Sequence, residues 1–222
     1  MSKVVIFGTG QIAEVVAFFI ETDTSHEIAA YTVDQSFLTE TTYRGKPVVA
    51  WEELETIYPP EEYELFCPIS YRDLNEQRRK KYEEGKARGY RFLNYIHSSC
   101  LVNAESIGDN CLILEDCVLQ PGARIGNNVI LWSSTHVGHH TGIGDHCFIA
   151  GNGGIAGNVT IGESCFFGGG FLVADNVKIG ARCILGIGAI IKTDMNDESV
   201  AVSDKTRIVE GASRRFAAKL TS

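Results

Sequence analysis

From Leu101 to Asn196 the chain reads, in consecutive blocks of six, LVNAES IGDNCL ILEDCV LQPGAR IGNNVI LWSSTH VGHHTG IGDHCF IAGNGG IAGNVT IGESCF FGGGFL VADNVK IGARCI LGIGAI IKTDMN. The first position of each block is aliphatic, Phe167 excepted. The fifth is mostly small or modest in size, as at Cys111, Cys117, Ala123, Val129, Thr135, Thr141, Cys147, Gly153, Val159, Cys165 and Cys183. An α-helix repeats apolar residues every three to four positions and a half-buried strand every two, so a period of six belongs to neither alone. It is the mark of a hexapeptide β-helix, in which each block is a short flat strand and a corner. One coil cannot bury its own first-position side chains, but stacked coils bury them in a continuous aliphatic column. With three blocks to a coil, residues eighteen apart lie above one another at roughly the 4.8 Å strand spacing.

Composition narrows the function classes. The chain has 222 residues, of which 44% are hydrophobic, and carries a net charge of −8. The acidic excess is spread over both parts of the chain, and no Lys/Arg stripe interleaved with aromatics is present, which argues against a nucleic-acid partner. The dense basic stretch Arg78–Lys81 lies in a Glu/Lys-rich helical pattern and reads as a solvated face. No apolar run approaches the ~20 residues of a membrane span, and the start MSKVVIFGTG lacks a signal-peptide pattern, so a cytoplasmic location is expected. Of the seven cysteines, Cys111, Cys117, Cys147, Cys165 and Cys183 all take the fifth block position, where a small apolar side chain is wanted. They read as packing residues in a reducing compartment, and the absence of any CxxC pair speaks against a cysteine zinc site.

Residues 1–96 carry a different pattern. Lys3–Gly8 reads as a buried strand, followed by the turn Gly8-Thr9-Gly10-Gln11-Ile12-Ala13 and an apolar helix from Gln11 to about Glu21. Strands are expected at Glu27–Val33, Tyr63–Ile69 and Arg91–Ile96, with a helix over Tyr71–Arg88. This alternation predicts a small α/β Rossmann-like domain at 1–96, ahead of a β-helix domain with a tail at 97–222. GxGxxA followed by an acidic residue, here Asp34, fits a phosphate held at a helix N-terminus, although a tight strand-to-helix turn needs the same glycines. About ninety residues are too few for a full dinucleotide domain, which favours a nucleotide-linked substrate over NAD.

On the coil, His136, His139, His140 and His146 form the one dense group of imidazoles. His140 and His146 are one block apart and so belong to different corners, which argues against a single-chain metal site. The eighteen-residue rule stacks His139 on Gly157 and Gly157 on Asp175. An imidazole beside an unobstructed backbone N–H suits acyl transfer, with the ring as general base and the amide at the developing oxyanion. His140 and His146 read as corner residues, and the same bland reading is open to His139.

Together, the Gly-rich turn, the small α/β domain and the blocks VGHHTGIGDHCFIA and IAGNVTIGE resemble the bacterial nucleotide-sugar acetyltransferases of the left-handed β-helix superfamily. That group includes UDP-4-amino-sugar and GDP-perosamine N-acetyltransferases and sialic acid O-acetyltransferases. The resemblance implies a left-handed coil with a short C-terminal helix and a homotrimer with active sites between neighbouring β-helices. It also implies an acetyl-CoA-dependent N-acetyl transfer, without a metal, to a nucleotide-linked 4-amino-4,6-dideoxy sugar for surface glycan synthesis. By the resemblance His139 is the catalytic base and Gly157 the amide facing the thioester. Gly8, Gly10, Gln11, Asp34, Ser70 and Tyr71 fall at the nucleotide-sugar end, and Gly157, Phe148, Gly186 and Lys205 at the CoA end. The chain departs from the group in having His140 where many members place a carboxylate, Phe148 where some have a second histidine, and Ala201-Val202-Ser203-Asp204-Lys205 in place of GxPAK. O-acetylation of a sugar and binding of a nucleotide sugar without transfer are the alternative readings.

Overall fold

The structure, a computed structural model, describes residues 2–204, 208, 210 and 212–214 of the chain. The N-terminal unit is built from β1 (Lys3–Phe7), α1 (Gln11–Asp23), β2 (Glu27–Val33), β3 (Thr42–Tyr43), β4 (Lys46–Ala50), α2 (Leu54–Ile57), β5 (Glu64–Phe66), α3 (Glu76–Ala87) and β6 (Arg91–Phe92). Its sheet runs β3-β4-β2-β1-β5-β6, parallel throughout except for the β3–β4 hairpin. Helix α1 buries Ala13, Val16, Ala17 and Ile20, the i, i+3, i+4, i+7 spacing of one helical face. Chain order reverses between β1 and β5, and at such switch points the carboxyl ends of parallel strands open a crevice.

From Tyr95 onward the chain winds through three parallel sheets. The first face runs from Tyr95–Ile96 to Val200–Ala201, the second from Leu101–Val102 to Ile190–Ile191, and the third from Ser106–Ile107 to Lys178–Ile179. Partners such as His136 and Gly154 are eighteen apart, as the period demands. The aliphatic column, from Ile113 and Leu119 to Leu185 and Ile191, is buried as expected, and Phe167 fits inside by packing edge-on against Phe171 at 5.0 Å. The five fifth-position cysteines are fully buried free thiols. The α/β unit covers the outer side of the first face, where Val4, Ile6, Val16 and Phe66 share one core with Tyr95, Leu112, Ile130 and Phe148.

Several expectations need correction. The expected strand Arg91–Ile96 is two strands, since Arg91–Phe92 joins β5 while Tyr95–Ile96 pairs with Leu112–Ile113 as the first rung of the coil. Leu101 does not turn inward but is 63% exposed, because it pairs with Val118 seventeen residues on, which throws the first block out of register. The coil also outlasts the pattern, Val200–Ala201 pairing with Ile184–Leu185. The helix expected from Tyr71 starts at Glu76, because Asp73, Leu74 and Asn75 all have positive φ and cannot continue a right-handed helix. The crossover between β2 and β4, for which no element is expected from the residues, holds a single 3₁₀ turn and a hairpin strand. The expected C-terminal helix falls largely outside the described residues.

Candidate active site

Five of the six residues expected at the nucleotide-sugar end meet in one place. Gly8, Gly10, Gln11, Ser70 and Tyr71 line a cleft of about 490 Å³ at the β1/β5 switch point, together with Phe7, Ile12, Ala13 and Pro68–Ile69. Gly8 adopts φ +104°, a conformation that glycine alone takes at little cost, and its N–H donates to Thr32 O. Gly10 precedes α1 with no side-chain cap, so the first amides of the helix have no intrahelical partner and suit an anion.

The sixth residue, Asp34, belongs to an adjoining cleft of about 680 Å³ that shares Phe7 and Ile69 with the first. Its carboxylate is paired with the Lys81 ammonium, which lies 5.1 Å from the Trp51 ring centroid and also pairs with Glu84. The basic stretch is therefore not simply a solvated face. Lys80 is exposed as expected, but Arg78 is fully buried and Lys81 nearly so. Nothing in the local pattern marks these two, because α3 packs against a coil edge on which its residues leave no signal.

Tyr71 and Ile12 also belong to a third, apolar cleft of about 500 Å³, with Trp132, Ser133, Phe148, Ala150–Asn152 and Gly169. Phe148 sits here, 3% exposed, with its ring 4.9 Å from Tyr71 and 5.8 Å from Phe166. It lies with the nucleotide-sugar residues of its own chain rather than with His139. Gly186 is on the same corner, higher up the coil, and its N–H donates to Ala201 O at 2.8 Å. Lys205 lies outside the described residues.

His139 and Gly157 stand between the second and third faces, on the edge opposite the face the α/β unit covers. They stack as the period requires, and a Cβ at 157 would lie 2.5 Å from His139 Nε2, so any other residue there would push the ring from this position. His139 Nδ1 lies 3.2 Å from His140 Nδ1, which puts the second imidazole where a carboxylate was expected to orient the first. The absence of a side chain at Gly122 leaves the space the His140 ring fills. The expected free amide is not found, because Gly157 N–H donates to Asp175 Oδ1 at 2.9 Å. Asn127 and Ala181 N–H groups are capped in the same way by Asp145 and Asp197, so this is the ordinary corner bond of the coil. Asp175 is exposed.

His146 is a buried corner residue at the end of a ladder. Cys67 N–H donates to Asn110 Oδ1, Asn110 Nδ2 to Asn128 Oδ1, and Asn128 Nδ2 lies 2.8 Å from His146 Nδ1. Burial holds the His146 pKa below its ordinary value. A folded value beneath the unfolded one of about 6.5 makes the unfolded chain the better proton acceptor, so this stability is present above about pH 6.5 and lost below it. Melting temperatures of the parent chain should fall more steeply on acidification than those of His146→Gln; parallel curves would refute the assignment.

Comparison with known proteins bears on the fold that carries these residues. Residues 106–139 match the family model described as bacterial transferase hexapeptide (six repeats). The matched stretch lies within the coil. Among solved structures, the chain superposes with a TM-score of 0.81 at 25% identity on a mutant of perosamine N-acetyltransferase from Caulobacter crescentus in complex with CoA and GDP-perosamine, covering 92% of this chain and 98% of that one. It shares its fold, at TM-score 0.78 and 23% identity, with the acetyltransferase domain of PglB from Neisseria gonorrhoeae, covering 94% of this chain and 100% of that one. No curated protein matches the chain by sequence. Among the described residues no group of His, Cys, Asp and Glu is placed to hold a metal ion, and no helix is long and apolar enough to cross a membrane.

Proposed function

We propose that the chain is a transferase that moves an acetyl group from acetyl-CoA to the amine of a nucleotide-linked amino sugar, of the 4-amino-4,6-dideoxy kind, for surface glycan synthesis in the cytoplasm. The observation that carries this is the continuous run of three clefts. The Gly8–Ala13 turn in the middle suits a diphosphate, the cleft beyond Phe7, which mixes aromatic and charged side chains, suits a nucleoside, and the aromatic cleft beyond Tyr71 suits a sugar with an apolar methyl. The CoA and GDP-perosamine bound to the Caulobacter relative support the same pair of substrates.

His139 is the proposed base, yet in a single chain it sits on the far edge from these clefts. The outer side of the second face suggests how they meet. Its column Leu101, Val118, His136, Gly154, Leu172 and Ile190 is largely apolar, with Leu101 63%, Leu172 53% and Ile190 62% exposed. The matching column of the third face is polar, with Arg124, Thr160 and Lys178. Such an apolar face is an assembly surface. If it turns toward a threefold axis parallel to a left-handed coil, the corner before it in one chain meets the corner after it in the next. The aromatic cleft then faces a neighbour's His139 at nearly equal height, since Trp132–Ser133 and His139 belong to one turn of the coil. In such a homotrimer each site is shared by two chains.

In the tautomer whose His139 Nδ1–H donates to His140 Nδ1, the lone pair of His139 Nε2 is free to take the proton of the sugar amine. As the amine nitrogen bonds to the thioester carbon, the C–S bond breaks, and the proton passes from Nε2 to the departing CoA thiolate. Asp175 must rotate off Gly157 N–H if that amide is to hold the oxyanion. The test is a melting-temperature panel of UDP-, GDP- and dTDP-linked amino sugars and their hydroxyl counterparts, followed by acetylation assays. One amino-sugar nucleotide should raise the melting temperature and accept acetate; binding of neither acetyl-CoA nor any nucleotide sugar would overturn the reading.

A further inference from the structure

Arg78 is a fully buried guanidinium with no carboxylate among its hydrogen-bond partners. Every partner is a backbone carbonyl. Nε donates to Asn128 O at 3.3 Å, Nη1 to Ile69 O at 3.0 Å and Ser70 O at 3.3 Å, and Nη2 to His146 O at 2.7 Å and Cys147 O at 3.2 Å. Burial lowers its pKa to about 10, which still leaves it charged at neutral pH. Its guanidinium also lies 5.9 Å from the Phe148 ring centroid, but burying a cation against carbonyl dipoles and one ring, with no anion, is costly, and an apolar side chain of similar volume would serve packing as well or better. What an apolar side chain cannot do is hold several carbonyls in one fixed geometry, as the planar fork of arginine does.

The carbonyls it holds belong to two groups. Asn128, His146 and Cys147 lie on the corner between the third and first faces, on successive turns of the coil. Ile69 and Ser70 belong to the segment between β5 and α3 that walls the Gly8–Gln11 cleft and carries Tyr71 into the apolar one. At its start Cys67 is tied to the coil through Asn110, and within the segment Ile69 N–H donates to Cys67 O, Asn75 N–H to Tyr71 O and Glu76 N–H to Asp73 O, so among the described residues the bonds that fix Ile69 O and Ser70 O to the coil come from Arg78. Asn75, itself buried, adds a second tie from the start of α3 by donating through Nδ2 to Ser164 O and Cys165 O.

We propose that Arg78 is a positioning residue for nucleotide-sugar binding: by tying Ile69–Ser70 to the rigid coil it sets the wall, and the Tyr71 ring, shared by the nucleotide and sugar clefts. This rests on the proposed function for the identity of the ligand. It predicts an effect confined to one substrate. In Arg78→Lys, which keeps the charge but not the fork, the KM for the nucleotide sugar should rise at least tenfold, with kcat and the KM for acetyl-CoA within about twofold. Deuterium uptake over residues 68–72 should rise, with uptake in the coil unchanged. Arg78→Met should show the same pattern, more strongly. Unchanged nucleotide-sugar KM in a folded variant, an equal loss for both substrates, or failure of both variants to fold would overturn the proposal, the last because it would make Arg78 a folding residue only. If the parent chain binds no nucleotide sugar, the proposed function fails instead, and the hydrogen-exchange comparison still shows whether Arg78 holds the wall.

Discussion

Replacing His139 by alanine is expected to lower turnover by about 10²- to 10⁴-fold, the usual worth of a positioned general base, or roughly 3–5 kcal/mol of barrier. The loss should fall on kcat, because the imidazole acts when the amine sheds its proton and not while the substrates bind. Fold and assembly should survive. His139 is exposed, its ring touches His140 and the glycine beneath it, and it lies outside the aliphatic column. Initial rates at saturating substrates, with melting temperature and sedimentation measured on the same preparation, decide the matter. Near-normal turnover in the folded variant would remove His139 from the mechanism. His140→Ala should give a smaller loss, since it removes only the partner that orients His139 through the 3.2 Å contact.

The second large effect concerns two inactive chains that repair one another. Gly10→Asp should abolish activity alone. Its carboxylate would enter open space at the mouth of the cleft, where a Cβ meets nothing within 4 Å, and would repel a diphosphate. The fold should tolerate it, since Gly10 has φ −90° and ψ −175° at the N-cap of α1, where aspartate is favoured. If each site takes its cleft from one chain and its His139 from the next, an equal mixture of His139→Ala and Gly10→Asp chains re-forms about one half times one half, or a quarter, of the parental sites. Co-expressed and co-purified chains should therefore regain about a quarter of the parental activity, and a mixture as inactive as its components would place cleft and base in one chain. Leu172→Asp, on the apolar outer face, should give chains that sediment as monomers.

Much of this layout was legible in the residues themselves. A period of six needs no long-range information, because each block must turn its own first residue inward, and so the column, the cysteine packing and the stacking of His139 on Gly157 all followed from counting. Where counting misled, a neighbour had changed the register. Leu101 faces outward because the first turn is one residue short, and Tyr95–Ile96 leaves the α/β sheet because the coil offers a better-matched partner strand. The glycine turn at Gly8–Gln11 was equally plain, since its backbone geometry is local.

Contacts between the two units were not legible. Arg78 and Lys81 sit in a sequence that reads as a charged surface helix, and only the packing of α3 against the coil buries one and pairs the other with Asp34. The bond from Gly157 N–H to Asp175 was likewise hidden, although counting placed the two residues together, because a side chain's rotamer is chosen by the acceptors and donors around it. Local periodicity dictated the coil and its neighbours eighteen residues apart, since those follow from backbone geometry repeated turn by turn. Tertiary structure alone decided which side chains cross from one unit to the other and on which edge each cleft opens, because those depend on how two separately patterned surfaces meet.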